Sequence, residues 1–218
     1  MIVVLGSLAW RESPAAAPVG RAPEIALAAA AHGAQVEVIG RIGDDRAGDA
    51  LVIAFAGAGV GHKAVLRDPV HATPVVAPPA DEDPDPFADE APVPAPTAGG
   101  GPRLEPADVA LGLSYLTSFG VLVVADDVPP SALPACVEGV QFAGAHLVVL
   151  LAPGQRPPES LPAGATVLVA PDAAADGAFA ALVGAYAAAV DAGEEPAAAF
   201  RTATGAVGWE TVAAEAQG

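Results

Sequence analysis

Five short runs of Val, Ile and Leu are apolar at nearly every position, whereas a strand with one wet face would alternate apolar and polar residues. Continuous apolar runs fit strands that are buried on both faces of a parallel sheet. Between the runs, apolar residues recur three and four positions apart, the spacing of helices. This alternation predicts an α/β fold with a doubly wound, mostly parallel sheet, in a single domain over residues 1–218. The predicted strands are Ile2–Leu5, Val36–Ile39, Val121–Ala125, Leu147–Leu151 and Val167–Val169.

The predicted helices carry proline near their starts and glycine just past their ends. Proline suits the first turn because it lacks an N–H, and glycine readily adopts the left-handed conformation that ends a helix. Pro23 and Gly33 mark the first helix in this way. The helices are predicted at Pro23–His32, Ala47–Ala58, Pro106–Phe119, Pro130–Phe142, 174–192 and 196–209.

The formal charge is −17, from 26 acidic against 9 basic residues. A surface of this sign repels nucleic acid backbones and anionic lipid, and it disfavours anionic substrates. We therefore expect neither nucleic acid nor membrane partners. No apolar run approaches the roughly 20 residues of a membrane helix, and Met1–Gly6 lacks the basic start of a signal peptide. A cytoplasmic protein is the resulting expectation.

A single cysteine, Cys136, excludes an internal disulfide and a cysteine-based zinc site. It is predicted to be a small core residue.

The segment 78–102 differs from the rest because it combines many prolines with six acidic residues and ends in a run of glycines. Such a composition buries too little apolar surface to offset its ordering entropy. We predict a disordered acidic, Pro-rich insertion within the domain. A solvated surface loop is favoured, and a regulatory acidic tether is the alternative.

The most specific motif follows the second predicted strand and contains Gly40, Gly43, Asp44, Asp45 and Gly48. The pattern Gly-x-x-Gly-Asp-Asp-x-x-Gly resembles that of the ribokinase-like (PfkB-type) carbohydrate kinases. The glycines permit a tight turn, and the carboxylates can cap the next helix at its positive end. A purely structural turn and cap is therefore the favoured interpretation, and the resemblance implies a ribokinase-like fold with lid and nucleotide-site elements reduced.

The resemblance also implies a set of substrate-binding residues near a sugar pocket. Gly20 matches the second glycine of a Gly-Gly…Asn motif, and Glu24 replaces its asparagine. Asp127 fills the acidic position that relatives place before a proline, here Pro129. With Gly43 and Asp45, these residues form the predicted substrate-binding set.

Relatives carry a catalytic base in a Gly-Ala-Gly-Asp motif, and the corresponding segment here is Ala173-Ala-Ala-Asp176. Asp176 is thus the candidate base, with both glycines replaced. A second alignment makes Thr166–Asp172 the strand that ends Pro-Asn-x-x-Glu in relatives. In either case the block that usually builds the adenine site is missing between the two motifs.

These observations leave three functional hypotheses. The first is a noncatalytic ribokinase-like protein that binds a small molecule, such as a sugar or nucleoside, or a protein partner; no cofactor or metal is expected for it. The second is an active sugar or nucleoside kinase that uses ATP and Mg²⁺ with Asp176 as base. The third is a structural subunit of a homo-oligomer, paired through shortened sheet edges.

Overall fold

A computed structural model describes residues 1–12, 16–76, 100–125, 127–171 and 176–207. Its main element is a parallel sheet of six strands in the order β5-β4-β1-β7-β8-β9. All five strands predicted from continuous apolar runs belong to this sheet. The six strands are β1 (Ile2–Leu5), β4 (Val36–Gly43), β5 (Val60–Asp68), β7 (Val121–Val124), β8 (His146–Leu151) and β9 (Thr166–Val169).

β1 lies at the centre of the sheet, which explains why it is wholly apolar. Its residues pair in parallel with β4 on one side and with β7 on the other. All four residues of β1 are fully buried. A central strand with both neighbours paired and both faces covered offers no position at which a polar side chain would reach water.

Helices cover both faces of the sheet, as a doubly wound fold requires. One face packs against α1, α2 and α5, and α6 contributes Ala199 and Ala203 to the same core. The other face packs against α3 and α4 and buries Cys136, where desolvation raises the thiol pKa to about 12. The bounds are α1 Arg21–Ala31, α2 Arg46–Gly57, α3 Pro106–Tyr115, α4 Leu133–Ala143 (after a 3-10 turn at Pro130–Ala132), α5 Asp176–Asp191 and α6 Pro196–Val207.

The edge strand β5 was not among the predicted strands. Its buried positions are Val60, Ala64 and Asp68, with half-buried or exposed residues between them. An edge strand has a neighbour on one side only, so it accommodates polar residues such as Lys63 that a search for continuous apolar runs passes over.

A second, three-stranded sheet was also unpredicted. Its strand order is β3-β2-β6. In the chain, β2 and β3 lie between β1 and α1, and β6 follows β5. Its strands have two or three residues each, and only β3 contributes buried residues. The region in which lid elements were expected to be reduced thus contains a small sheet. Its strands are β2 (Ala9–Arg11), β3 (Ala17–Val19) and β6 (Val75–Val76).

Most of the predicted acidic insertion, residues 78–99, lies outside the described residues. Of its last residues, Pro102 is buried and Gly101 contacts Pro74, so this end of the segment packs against the domain. No described helix is both long and apolar enough to cross a bilayer.

Candidate ligand-binding crevice

The chain leaves β1 and β7 toward opposite faces of the sheet. β1 leads through the small sheet to α1 on one face, and β7 leads to α4 on the other. Where two adjacent parallel strands diverge in this way, a crevice opens at their carboxyl ends, and ligands of open α/β sheets bind in such crevices. The candidate site is therefore the region beyond Leu5 and Val124.

Asp127 lies in this crevice and is held by the end of β1. The backbone N–H of Ser7 donates to Oδ2 of Asp127 at 3.0 Å. Oδ1 has no hydrogen-bond donor among the described residues, and the side chain is exposed. One carboxylate oxygen is thus anchored, and the other is available to accept a hydrogen bond from a ligand.

Gly6 makes this arrangement sterically feasible. A Cβ at this position would lie 2.7 Å from Cβ of Ala22, 2.8 Å from Cβ of Ala125 and 3.1 Å from Oδ1 of Asp127. The start of α1 and the end of β7 therefore approach the β1 turn so closely that only glycine fits. The sequence motifs did not identify Gly6. Its position directly after the buried strand β1 was the one feature of the sequence that could have pointed to it.

Gly20 forms the amino-terminal boundary of α1 beside the same turn. Its φ is 103°, in the region where glycine is favoured. A Cβ at this position would lie 3.8 Å from the carbonyl oxygen of Ser7. No side chain caps α1, so its first N–H groups have no capping acceptor from a side chain. Glu24 lies half-buried in the first turn, where a carboxylate interacts favourably with the helix dipole.

Asp45 caps the start of α2, and both of its carboxylate oxygens accept backbone N–H groups. Its Oδ1 accepts the N–H of Gly48 at 2.8 Å, and its Oδ2 accepts the N–H of Thr73 at 2.7 Å. Burial by itself would raise the pKa of Asp45, but these hydrogen bonds outweigh it and lower the pKa. The geometry agrees with the structural interpretation of the Gly-Asp-Asp turn, and ligand binding by Asp45 stays a prediction.

Thr73 completes the turn and was not identified from the sequence. Its Oγ1 accepts the N–H of Gly43 at 2.8 Å, in a buried position. A Cβ on Gly43 would collide with Oδ2 of Asp45 and with the backbone at Thr73. Gly43 is therefore required for the close packing of the turn against the loop that follows β5.

The Asp45 turn lies further along β4 than the level at which β1 ends. Leu5 pairs with Ile39, and β4 continues four residues further to Gly43, which corresponds to about 13 Å along a strand. The structure thus brings Gly20 next to the turn that anchors Asp127. It places Gly43 and Asp45 at a second turn, four residues further along β4.

Ion pairs stabilise that second turn. Asp68 accepts N–H groups from Val70 and His71 and contacts Nδ1 of His71, and these bonds lower its pKa to about 2. Nη1 of Arg41 lies 3.5 Å from Asp108 and 4.0 Å from Asp68. These contacts join β4, the loop after β5 and the start of α3 into one support.

Asp176 is the first residue of α5 and lies on the side of the sheet where the strands have their carboxyl ends, which is also the side of the crevice. At the other end of α5, Asp191 binds the amino group of Met1 at 2.7 Å, beside the start of β1. Sixteen helical residues span about 24 Å, so α5 runs back to the carboxyl ends of the strands. The side chain of Asp176 and residues 172–175 lie outside the described residues, and its catalytic role stays a prediction.

The two alternative alignments are compatible with one structure. Thr166–Val169 forms β9, as the strand alignment predicts, and α5 begins at Asp176, as the base alignment predicts. Only residues 170–175 connect them. The described elements fit either alignment, and the choice between them stays open.

No family model matches this chain, and no curated protein does. Several solved structures match its fold. A structure named Sa239 shares 16% identity, with a TM-score of 0.66 over 91% of this chain and 89% of its own. A structure titled ribokinase II from E. coli, in its apo form, shares 13% identity, with a TM-score of 0.67 over 93% of this chain and 90% of its own.

A sugar kinase from Pyrococcus horikoshii, solved in complex with ATP, shares 12% identity with a TM-score of 0.52. The match covers 72% of this chain and 54% of that one. At identities this low, similarity of structure establishes the fold. The chain has a ribokinase-like α/β fold, and it spans 54% of the length of the Pyrococcus horikoshii kinase.

Proposed function

We propose that this protein binds a small polyhydroxylated molecule, a sugar or a nucleoside, in the crevice between β1 and β7, without transferring phosphate to it. The observation that carries the proposal is the Asp127 carboxylate at the switch point of the sheet, with Oδ2 anchored on the Ser7 N–H and Oδ1 open. A carboxylate oriented in this way accepts hydrogen bonds from ligand hydroxyl groups, and bonds to charged acceptors are the stronger ones.

The small sheet supports binding at this position. β2 follows directly from the Ser7 turn, and β3 leads into α1 through Gly20, so the sheet flanks the crevice. The N–H of Trp10 donates to the carbonyl of Pro74 at 2.9 Å, which ties β2 to the chain next to β6. A short flanking sheet helps to retain a ligand, whereas phosphoryl transfer benefits from a cover that excludes water.

The connection between β9 and α5 supports the noncatalytic part of the proposal. Six residues leave no room for the strands and helices that the resemblance implies between the two motifs. In the base motif, alanines at 173 and 175 replace glycines, and a Cβ opposes the close approach of backbone to phosphate.

Within the described ranges no group of three or more His, Cys, Asp or Glu side chains is placed to hold a metal ion. We therefore derive no catalytic step through ATP or Mg²⁺, and the expectation that the protein needs neither stays a prediction.

Binding is tested by titrating a panel of pentoses, hexoses and nucleosides by calorimetry, with wild type and Asp127→Asn. The variant keeps the shape of the side chain but loses its charge, so we expect affinity for the panel's best ligand to fall by about tenfold to a hundredfold. Glu138→Gln removes an exposed carboxylate on α4, remote from the crevice, and is expected to leave affinity unchanged. Equal affinity of wild type and Asp127→Asn would contradict the proposal.

The absence of phosphoryl transfer is tested separately. The same panel is incubated with ATP and Mg²⁺, and phosphorylated products are sought by mass spectrometry with wild type and Asp176→Ala. Turnover that the substitution abolishes would establish the kinase alternative. A rise of the melting temperature with ATP or ADP alone would show that a nucleotide site exists after all.

A further inference from the structure

A second cavity opens at the carboxyl ends of β7 and β8, on the face covered by α4. It encloses about 350 Å³, within the size range of small-molecule sites. Its floor is apolar and comes from strand ends and from the start of α4, and its mouth carries two polar side chains. The residues that matter here are Val124, Leu151, Val128, Leu133, Gln155 and Arg156.

Arg156 at the mouth has no carboxylate partner within the described part of the chain. By contrast, Arg41 lies near Asp108 and Asp68, and Arg67 pairs with two acidic side chains. The positive charge of Arg156 is therefore available to a ligand.

Gln155 adds a second donor beside Arg156. Its Oε1 accepts the N–H of Ala152 at 3.0 Å, which fixes the orientation of the side-chain amide. The amide nitrogen, Nε2, has no acceptor among the described residues. The two polar side chains at the mouth of the cavity thus offer N–H donors, one of them charged, beside an apolar lining.

We propose that this cavity is a binding site for a small monocarboxylic acid with an apolar body. The carboxylate would pair with the guanidinium of Arg156 and accept from Nε2 of Gln155, and the apolar part would lie against Val124, Leu133 and Leu151. Guanidinium and carboxylate match in geometry as well as in charge. The cavity adjoins the crevice at Val124, but its polar groups are Arg156 and Gln155 and not Asp127, so the proposal does not depend on the proposed function.

The charge of the whole chain decides between a single carboxylate and a polyanion. One arginine can neutralise one carboxylate, whereas a nucleotide or polyphosphate would bring several charges into the field of a protein of net charge −17. A neutral apolar ligand would leave Arg156 unused. A monocarboxylate satisfies both the cation and the apolar floor.

The test uses phenylacetate and its neutral analogue phenylacetamide as probes, with binding followed by chemical-shift changes in the nitrogen-15-labelled full chain. We expect phenylacetate to shift the amide signals of cavity residues and to bind about tenfold more tightly than the amide. Arg156→Gln should remove this tenfold preference. Arg201→Gln, which removes the same charge from an exposed position on α6, should preserve it.

Val128→Phe provides a second variant, because a larger side chain at this half-buried lining position fills the cavity. It should weaken binding of both probes, with the fold verified from the remaining signals. Equal binding of acid and amide, full binding by Arg156→Gln, or absence of shifts at the cavity with both probes would each overturn the proposal.

Discussion

Gly6 is the position where a single methyl group should have the largest measurable effect. Replacing it with alanine places Cβ within 2.8 Å of Ala22 and Ala125, whereas carbon atoms in contact lie about 3.5–4.0 Å apart. Both neighbours are alanines with at most 2% of their surface exposed, so no side-chain rotation relieves the collision. The strand end or the start of α1 must move instead.

Overpacking of this kind costs about 1–3 kcal/mol. Since 1 kcal/mol shifts the midpoint by about 2–4 °C in a chain of this size, we expect Gly6→Ala to lower the melting temperature by roughly 2–12 °C. The substituted Cβ also approaches Oδ1 of Asp127 to 3.1 Å, so ligand binding in the crevice should weaken in parallel.

The measurement is thermal and urea unfolding followed by circular dichroism. Gly57→Ala is the matched control: this glycine is the last residue of α2 and a Cβ there meets nothing within 4 Å. Alanine is favoured over glycine in helices by up to about 1 kcal/mol, so the control should be neutral or stabilising. A Gly6→Ala variant as stable as wild type would refute the close packing of α1 and β7 around this turn.

Two further predictions concern the turn on β4 and the loop after β5. Thr73→Val removes the acceptor of the buried Gly43 N–H and should destabilise the protein by about 1–3 kcal/mol in urea unfolding, whereas Thr117→Val, at an exposed position, should not. Asp68 has a folded-state pKa of about 2, which is lowered chiefly by the hydrogen bond from the Val70 N–H and then by the hydrogen bonds from His71. Since the usual Asp pKa is about 3.9, its stabilisation should be complete above about pH 4 and be lost as pH falls toward 2. Asp68→Asn should flatten that part of the stability profile measured by urea unfolding, and an unchanged pH profile would count against these contacts.

The sequence alone determined the architecture because burial on both faces leaves a clear trace. The runs at Ile2–Leu5 and Val121–Ala125 are apolar throughout, and this property required a sheet covered by helices on both sides. The Gly43-Asp44-Asp45 turn was likewise readable, since a helix cap depends on residues close together in sequence. Strands that are only partly buried, β5 and the small sheet, left no such pattern and were missed.

Only the tertiary structure decided which polar groups meet. Asp127 and Ser7 are 120 residues apart and come together because β1 and β7 are neighbours in the sheet. Asp45 lies at a turn further along β4, and its grouping with Asp127 in one pocket, which the resemblance implies, stays a prediction. Local sequence records helix caps and buried strands, whereas the pairing of strand ends depends on the order of strands, which no local pattern encodes.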